Sequence, residues 1–248
     1  MRIARFTTGD DPRFALLEDG ADELEVIAGD PLFTPVRTTG RRVPMEAARL
    51  LAPVIPRSKV VGVGHNYAAH VAEMGGSVPA EPLLFLKPNT SVIGPGDPIV
   101  LPRWSSEVHH EAELAVVISR ICKDVPRERA AEVILGYTVA NDVTARDIQR
   151  SDDQWTRAKG FDTACPLGPV LVTDLDPGDL AVRARVDGEL RQDGRTSEMI
   201  VDVAGLVAYV SEVFTLLPGD VILTGTPAGV SPIAAGQRVE VEVEGIGV

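Results

Sequence analysis

Turn signals recur at short intervals along this chain and leave little room for long helices. Gly94-Pro95-Gly96-Asp97-Pro98, Asp176-Pro177-Gly178-Asp179, Asp187-Gly188 and Leu217-Pro218-Gly219-Asp220 are the clearest. Glycine and proline at such positions supply the dihedrals of tight turns and interrupt helical hydrogen bonding. Between them lie β-branched runs: Ile99-Val100-Leu101, Val116-Val117-Ile118, residues 182–186, Val221-Ile222-Leu223 and residues 239–243. Short strands joined by turns are the expected outcome. Helical periodicity is confined to residues 66–74, 127–134 and 203–214. The mixture predicts an α+β fold in which β dominates.

Composition narrows the class. The chain has 248 residues, 44% hydrophobic and 24% charged, enough for a sizeable core. Residues 1–6, 15–17 and 25–28 read as a small meander, followed by a proline-rich connection over 44–56 and then Val60-Val61-Gly62-Val63. This predicts a small N-terminal β domain over 1–57 and a larger domain over 58–248. The net charge of −12 argues against nucleic acid or an anionic membrane surface as partner. No apolar run approaches the roughly 18 residues of a membrane span. The N-terminus lacks the apolar core of a secretory signal, so a cytoplasmic location is expected. Two cysteines, Cys122 and Cys165, make neither a disulfide framework nor a four-cysteine zinc site, and both read as packing residues. Gly62-Val63-Gly64-His65-Asn66-Tyr67 starts like a dinucleotide loop, but Tyr67 stands where the third glycine belongs.

The informative stretch is His109-His110-Glu111-Ala112-Glu113-Leu114-Ala115-Val116-Val117-Ile118. With the period of a strand, Ala112, Leu114, Val116 and Ile118 share one face, and Glu111 and Glu113 share the other. Two carboxylates side by side repel unless the face is solvated or a cation compensates them. A second strand-like run, Tyr137-Thr138-Val139-Ala140, ends in Asn141-Asp142. Three carboxylates together make a hard, all-oxygen site, which favours Mg²⁺ or Mn²⁺ over structural zinc. His109 and His110 are either further ligands or groups packed behind them.

Residues 66–74 form a short helix closed by Gly75-Gly76. His70 and Glu73, three apart, share a face of it. A carboxylate beside an imidazole orients it and raises its basicity, as a general base requires; a surface ion pair is the bland alternative. The glycines suggest a hinge for a lid. Lys159, in Ala158-Lys159-Gly160-Phe161-Asp162, is either a surface lysine or a cation that holds an anionic substrate.

Taken together, the chain resembles the fumarylacetoacetate hydrolase family. The matching pieces occur in family order: Gly64-His65-Asn66-Tyr67-Ala68-Ala69-His70-Val71-Ala72-Glu73-Met74, Phe85-Leu86-Lys87-Pro88, His110-Glu111-Ala112-Glu113-Leu114, Asn141-Asp142-Val143-Thr144-Ala145-Arg146-Asp147, Ala158-Lys159-Gly160-Phe161-Asp162 and Leu223-Thr224-Gly225-Thr226-Pro227-Ala228-Gly229-Val230. They span residue 58 to the end. The resemblance implies a mixed β-sandwich roll, usually as a homodimer. It implies Glu111, Glu113 and Asp142 as metal ligands for Mg²⁺ or Mn²⁺, and His70 and Glu73 as a water-activating dyad on a helical lid. Lys159 would stabilise a developing oxyanion. Arg146, Gln149, Lys87 and Thr226 would bind the 2-oxo acid substrate.

The implied chemistry is metal-dependent reaction at a C–C bond or keto–enol system of a 2-oxo or β-diketo acid. Presence of both His70 and Glu73 leans towards hydrolysis of an acylpyruvate. The alternatives are 2-hydroxyhepta-2,4-diene-1,7-dioate isomerase with 5-oxopent-3-ene-1,2,5-tricarboxylate decarboxylase activity, as in homoprotocatechuate catabolism, or oxaloacetate decarboxylase. A non-catalytic metal-binding paralogue would have lost a ligand or the lysine, and this chain keeps all of them.

Overall fold

The β-branched runs assemble, among the described residues, into one twelve-stranded sheet. A computed structural model of the chain describes residues 1–9 and 11–248. Along the sheet the strands follow the order Thr38–Pro44, Glu23–Ile27, Arg13–Leu16, Arg2–Thr7, Cys165–Val172, Ile134–Asn141, Ala112–Ile118, Val221–Leu223, Val60–Gly64 and Leu83–Lys87. Arg49–Leu51 pairs with Arg2–Thr7, and Val92–Ile93 with Cys165–Val172. Most neighbours are antiparallel, but Val221–Leu223 runs parallel to Val60–Gly64, so the sheet is mixed. A three-stranded sheet of Glu189–Arg195, Ala181–Val186 and Val239–Val243 packs on it.

The sheet is continuous from the N-terminal meander into the rest of the chain. Arg2 and Ile3 pair with Val172 and Leu171. Ile3 is buried in the same cluster as Leu167, Leu171, Val117 and Leu223. The far strand, Thr38–Pro44, is mostly exposed.

Ala112–Ile118 is buried at every position. Ala112, Leu114, Val116 and Ile118 pack beneath the helix Val203–Val213 and the three-stranded sheet. Ala115 and Val117 join the opposite layer. Truncating Leu114 to Ala would cost about 2–5 kcal/mol. The solvated-face alternative for this strand is therefore excluded.

Val203–Val213 forms because Val203, Leu206, Val207 and Val210 fall on one stripe. Asp202 caps it by accepting the Gly205 N–H at 2.9 Å. Ala68–Glu73 is the short helix expected around His70, and Gly75 ends it with φ +69°. Two expectations fail. Residues 127–134 form a 3₁₀ helix, Arg127–Val133, rather than an α-helix. Ile99-Val100-Leu101 is not a strand: prolines 98 and 102 flank it, and the Val100 N–H goes to Thr163 Oγ1 at 2.8 Å instead of a ladder. No described helix is long and apolar enough to cross a membrane.

Candidate active site

Antiparallel pairing brings the carboxylates together. Ala112 lies opposite Asn141, the Asp142 N–H donates to the Glu111 carbonyl at 2.9 Å, and Asn141 Oδ1 accepts from the Glu111 N–H at 3.0 Å. Glu111, Glu113 and Asp142 thus offer one oxygen each within 4.8 Å of one another, all buried. His109 and His110 stand outside this group: His109 meets Glu107, and His110 meets Gln192 and Ser231.

Three cations converge on the same place from three segments. Lys159, the last residue of the short helix Thr156–Lys159, bridges Glu111 Oε2 and Asp142 Oδ2, both at 2.7 Å. Lys87, ending the strand Leu83–Lys87, donates to Asp142 Oδ1 at 2.5 Å. Arg146 opens the helix Arg146–Ser151, bonds to Glu111 Oε1, and donates to Gln149 Oε1 one turn on at 2.5 Å. Arg146, Lys87 and Lys159 are each at most 3% exposed. Burying a charge without partners is prohibitive, so this mutual pairing is what lets Glu111, Asp142 and the three cations sit inside the fold.

The pairing is uneven. Burial alone would raise the Glu111 carboxyl, but Lys159 and Arg146 outweigh it and hold it below the usual carboxylate range. Burial pushes Glu113 well above that range, and the Asp142 and Glu111 charges push further. Its one hydrogen-bond donor among the described residues is the Gly225 N–H, at 2.7 Å. Gly225 has φ +93°, a conformation that suits glycine, and it aims that N–H at the carboxylate. The Lys159 ammonium, which burial would lower, is raised because Asp142 and Glu111 prevail.

Above this floor is a cavity of about 160 Å³. His65, His70, Met74, Phe85, Gln149, Trp155 and Thr226 line it together with the three carboxylates, Arg146 and Lys159. Lys87 does not line it. His70 Nδ1 is 3.2 Å from Glu73 Oε2, and Glu73 also accepts the Gly229 N–H at 3.0 Å, which ties the helix to the loop after Val221–Leu223. Thr226 Oγ1 donates to the Ala112 carbonyl at 2.8 Å.

Sequence reasoning missed the aromatic wall. Phe85 and Trp155 meet edge-on with centroids 5.7 Å apart, and His65 meets Trp155 likewise at 5.8 Å. Gly62 makes room, since a Cβ there would lie 2.1 Å from the Phe85 ring. His65 has φ +59° without being glycine. Burial, together with His70, Lys159 and Arg146, outweighs Glu111 and lowers its imidazole, favouring the neutral ring. The one available signal was its place directly before Asn66-Tyr67.

The donor set fits a hard cation: three buried carboxylates, with Glu113 paired to no cation among the described residues. A divalent ion would relieve that carboxylate.

Comparison with known proteins agrees with this geometry. Residues 59–248 match the family described as Fumarylacetoacetate (FAA) hydrolase C-terminal, and residues 1–53 match Rv2993c-like, N-terminal. Protein Rv2993c of Mycobacterium tuberculosis is 54% identical, covering 100% of this chain and 96% of that protein. The crystal structure of 5-carboxymethyl-2-hydroxymuconate delta-isomerase from Mycobacterium smegmatis superposes with a TM-score of 0.92 at 56% identity, covering 100% of this chain and 96% of that one. The mitochondrial oxaloacetate tautomerase fahd2 of Xenopus laevis is 38% identical over 100% of this chain and 88% of its own length. The β-rich mixed fold, the carboxylate cluster at its strand ends and these matches place the chain in the fumarylacetoacetate hydrolase family.

Proposed function

We propose that this chain is a divalent-metal-dependent isomerase or tautomerase acting on the keto–enol system of a small 2-oxo dicarboxylic acid. The supporting observation is the charge balance of the cavity floor. Three cations pair with Glu111 and Asp142 there, and Glu113, whose carboxyl is raised, adds a third negative charge only once a metal displaces its proton. A 2+ ion on Glu111, Glu113 and Asp142 would leave the floor at +2. That is the charge a dicarboxylate neutralises, as does a 2-oxo carboxylate once its enolate forms. The Arg146 Nε is a further buried donor without a partner among the described residues, which an anionic ligand would satisfy. The cavity is smaller than the ~300–1,000 Å³ of drug-sized sites, which suits a small acid. Two relatives named for isomerase and oxaloacetate tautomerase activity point the same way.

Mg²⁺ or Mn²⁺ would supply Lewis-acid polarisation of the substrate's 2-oxo group. Arg146 and Gln149 hold and orient the substrate carboxylate. Lys159 stands as a fixed ammonium where negative charge develops on the oxo oxygen. His70, its Nδ1 committed to Glu73, uses Nε2 to take the proton from the carbon beside the carbonyl and to return it to the product. Glu73 keeps that orientation and stabilises the imidazolium. Phe85, Trp155 and His65 keep bulk water from the enolate. Thr226 forms the wall next to the carboxylate strand.

Hydrolysis of an acylpyruvate is the second reading. It rests on the same His70–Glu73 pair, which would orient water as readily as it would carry a proton. A product-resolved NMR assay in D₂O separates the two, with Mg²⁺ or Mn²⁺, an EDTA control, and oxaloacetate, 2-hydroxyhepta-2,4-dienedioate and acetylpyruvate as substrates. Deuterium exchange and tautomer interconversion without cleavage are expected. Acetate and pyruvate from acetylpyruvate would establish the hydrolase instead. Metal-independent silence on all three would remove both readings.

A further inference from the structure

Gln192 lies far from the site in sequence, on the strand Glu189–Arg195 of the small sheet, and is fully buried. Every polar atom of its amide is used. Oε1 accepts the Ala112 N–H at 2.9 Å and meets His110 Nδ1 at 3.0 Å. Nε2 donates to the Pro227 carbonyl and to Thr226 Oγ1, both at 2.7 Å.

These partners determine the polarity of the whole network. A backbone N–H can only donate and a backbone carbonyl can only accept, so the amide has one orientation. His110 therefore carries its proton on Nδ1, and its Nε2 accepts from the Ser231 hydroxyl at 2.9 Å. Thr226 gives its own proton to the Ala112 carbonyl, and so accepts from Gln192. No member is left unsatisfied.

The two segments gripped by this amide are the ones that hold Glu113. Ala112, the first residue of its strand, lies between Glu111 and Glu113. Thr226 and Pro227 follow Gly225, whose N–H is the donor to Glu113. We infer that Gln192 is a positioning residue: it clamps the carboxylate strand to the 225–227 loop and so sets where Glu113 and Thr226 face the cavity. The small sheet thereby contributes to a site it does not line. This inference rests on the metal-dependent reading proposed above, but it concerns the chain's own geometry.

The test is Gln192→Met, which keeps volume and removes all four hydrogen bonds. Three readouts apply. Mn²⁺ affinity by calorimetry should fall about 10–100-fold, the range for groups that orient metal ligands. Hydrogen exchange of the Gly225 amide in EDTA should accelerate, with exchange in the meander over 1–53 unchanged. In a double-mutant cycle read by Mn²⁺ affinity, Thr226→Val and Gln192→Met together should cost less than the sum of the two, because they share the Gln192–Thr226 bond, and Thr226 keeps its own bond to the Ala112 carbonyl when Gln192 is replaced. Unchanged Mn²⁺ affinity and Gly225 exchange in a folded Gln192→Met protein would overturn the inference, as would strict additivity in the cycle. If Gln192→Met does not fold, Gln192→Asn decides: it keeps the amide but is one methylene too short to reach both segments, and should still weaken Mn²⁺ several-fold. No weakening there overturns the inference. Wild-type protein that binds Mn²⁺ but is inactive on every 2-oxo acid would instead count against the proposed reaction, leaving the clamp standing.

Discussion

Two concavities among the described residues are of opposite character. The larger, about 920 Å³, runs along Pro95, Ile99, Leu101, Leu167, Ile233 and Val239 and is mainly apolar. The smaller, about 160 Å³, has three buried carboxylates and two buried cations in its wall. Size alone would select the first. Chemistry selects the second, because buried charge is tolerated only where partners compensate it, and convergent charge is what polarises a substrate. Volume measures what can enter; the cost of burying the lining shows what the fold is maintaining.

The sharpest way to break this contrast is to remove one carboxylate. Glu113→Ala is expected to abolish Mn²⁺ binding with the fold intact; a calorimetric isotherm like the wild type would end the ligand assignment. Next comes proton transfer. His70→Ala should slow deuterium exchange into substrate by about 10²–10⁴ while Mn²⁺ affinity stays the same, and a parallel loss of metal would show that the helix is part of the metal site instead. Lys87→Met should act on stability: removing one partner of a buried ion pair costs about 3–5 kcal/mol, read by chemical denaturation in EDTA. A change under about 1 kcal/mol would mean that Lys159 alone compensates Asp142.

Glu113 also predicts a pH dependence. Its raised carboxyl keeps a proton in the folded metal-free protein that the unfolded chain releases above the ordinary carboxylate range. The unfolded state then binds fewer protons, so metal-free stability falls as pH rises through that window. Mn²⁺ must displace the same proton, so its apparent affinity should rise with pH. Calorimetry in two buffers of different ionisation enthalpy checks this; identical heats would contradict it. The smallest effect belongs to the larger groove. Ile99→Ser should leave turnover within about twofold, and a large loss there would show that the two concavities are coupled.

Part of the site was legible because it is local. Glu113 on its strand and Glu111 just before it are two apart, and His70 and Glu73 are three apart on one helix, so period alone pairs them. Lys87 was legible only through resemblance. Its partner is Asp142, 55 residues away, and nothing in Phe85-Leu86-Lys87-Pro88 itself says that the ammonium is buried. Gln192 was invisible. Glu189, Leu190, Arg191 and Asp193 around it are exposed, and a polar residue among them reads as surface. The missed helices Arg146–Ser151 and Thr156–Lys159 are too short for periodicity to register.

By itself, the sequence determined the β-rich class, the turn positions, the carboxylate strand and the family. These follow from local stereochemistry and from residue types at short spacing. Tertiary structure alone decided that the strand is buried on both faces, that three cations from separate segments neutralise the acids, and that Glu113 is the one left without such a partner. Pairing across the sheet and the low dielectric of the interior set those outcomes, and neither is a property of any short stretch of chain.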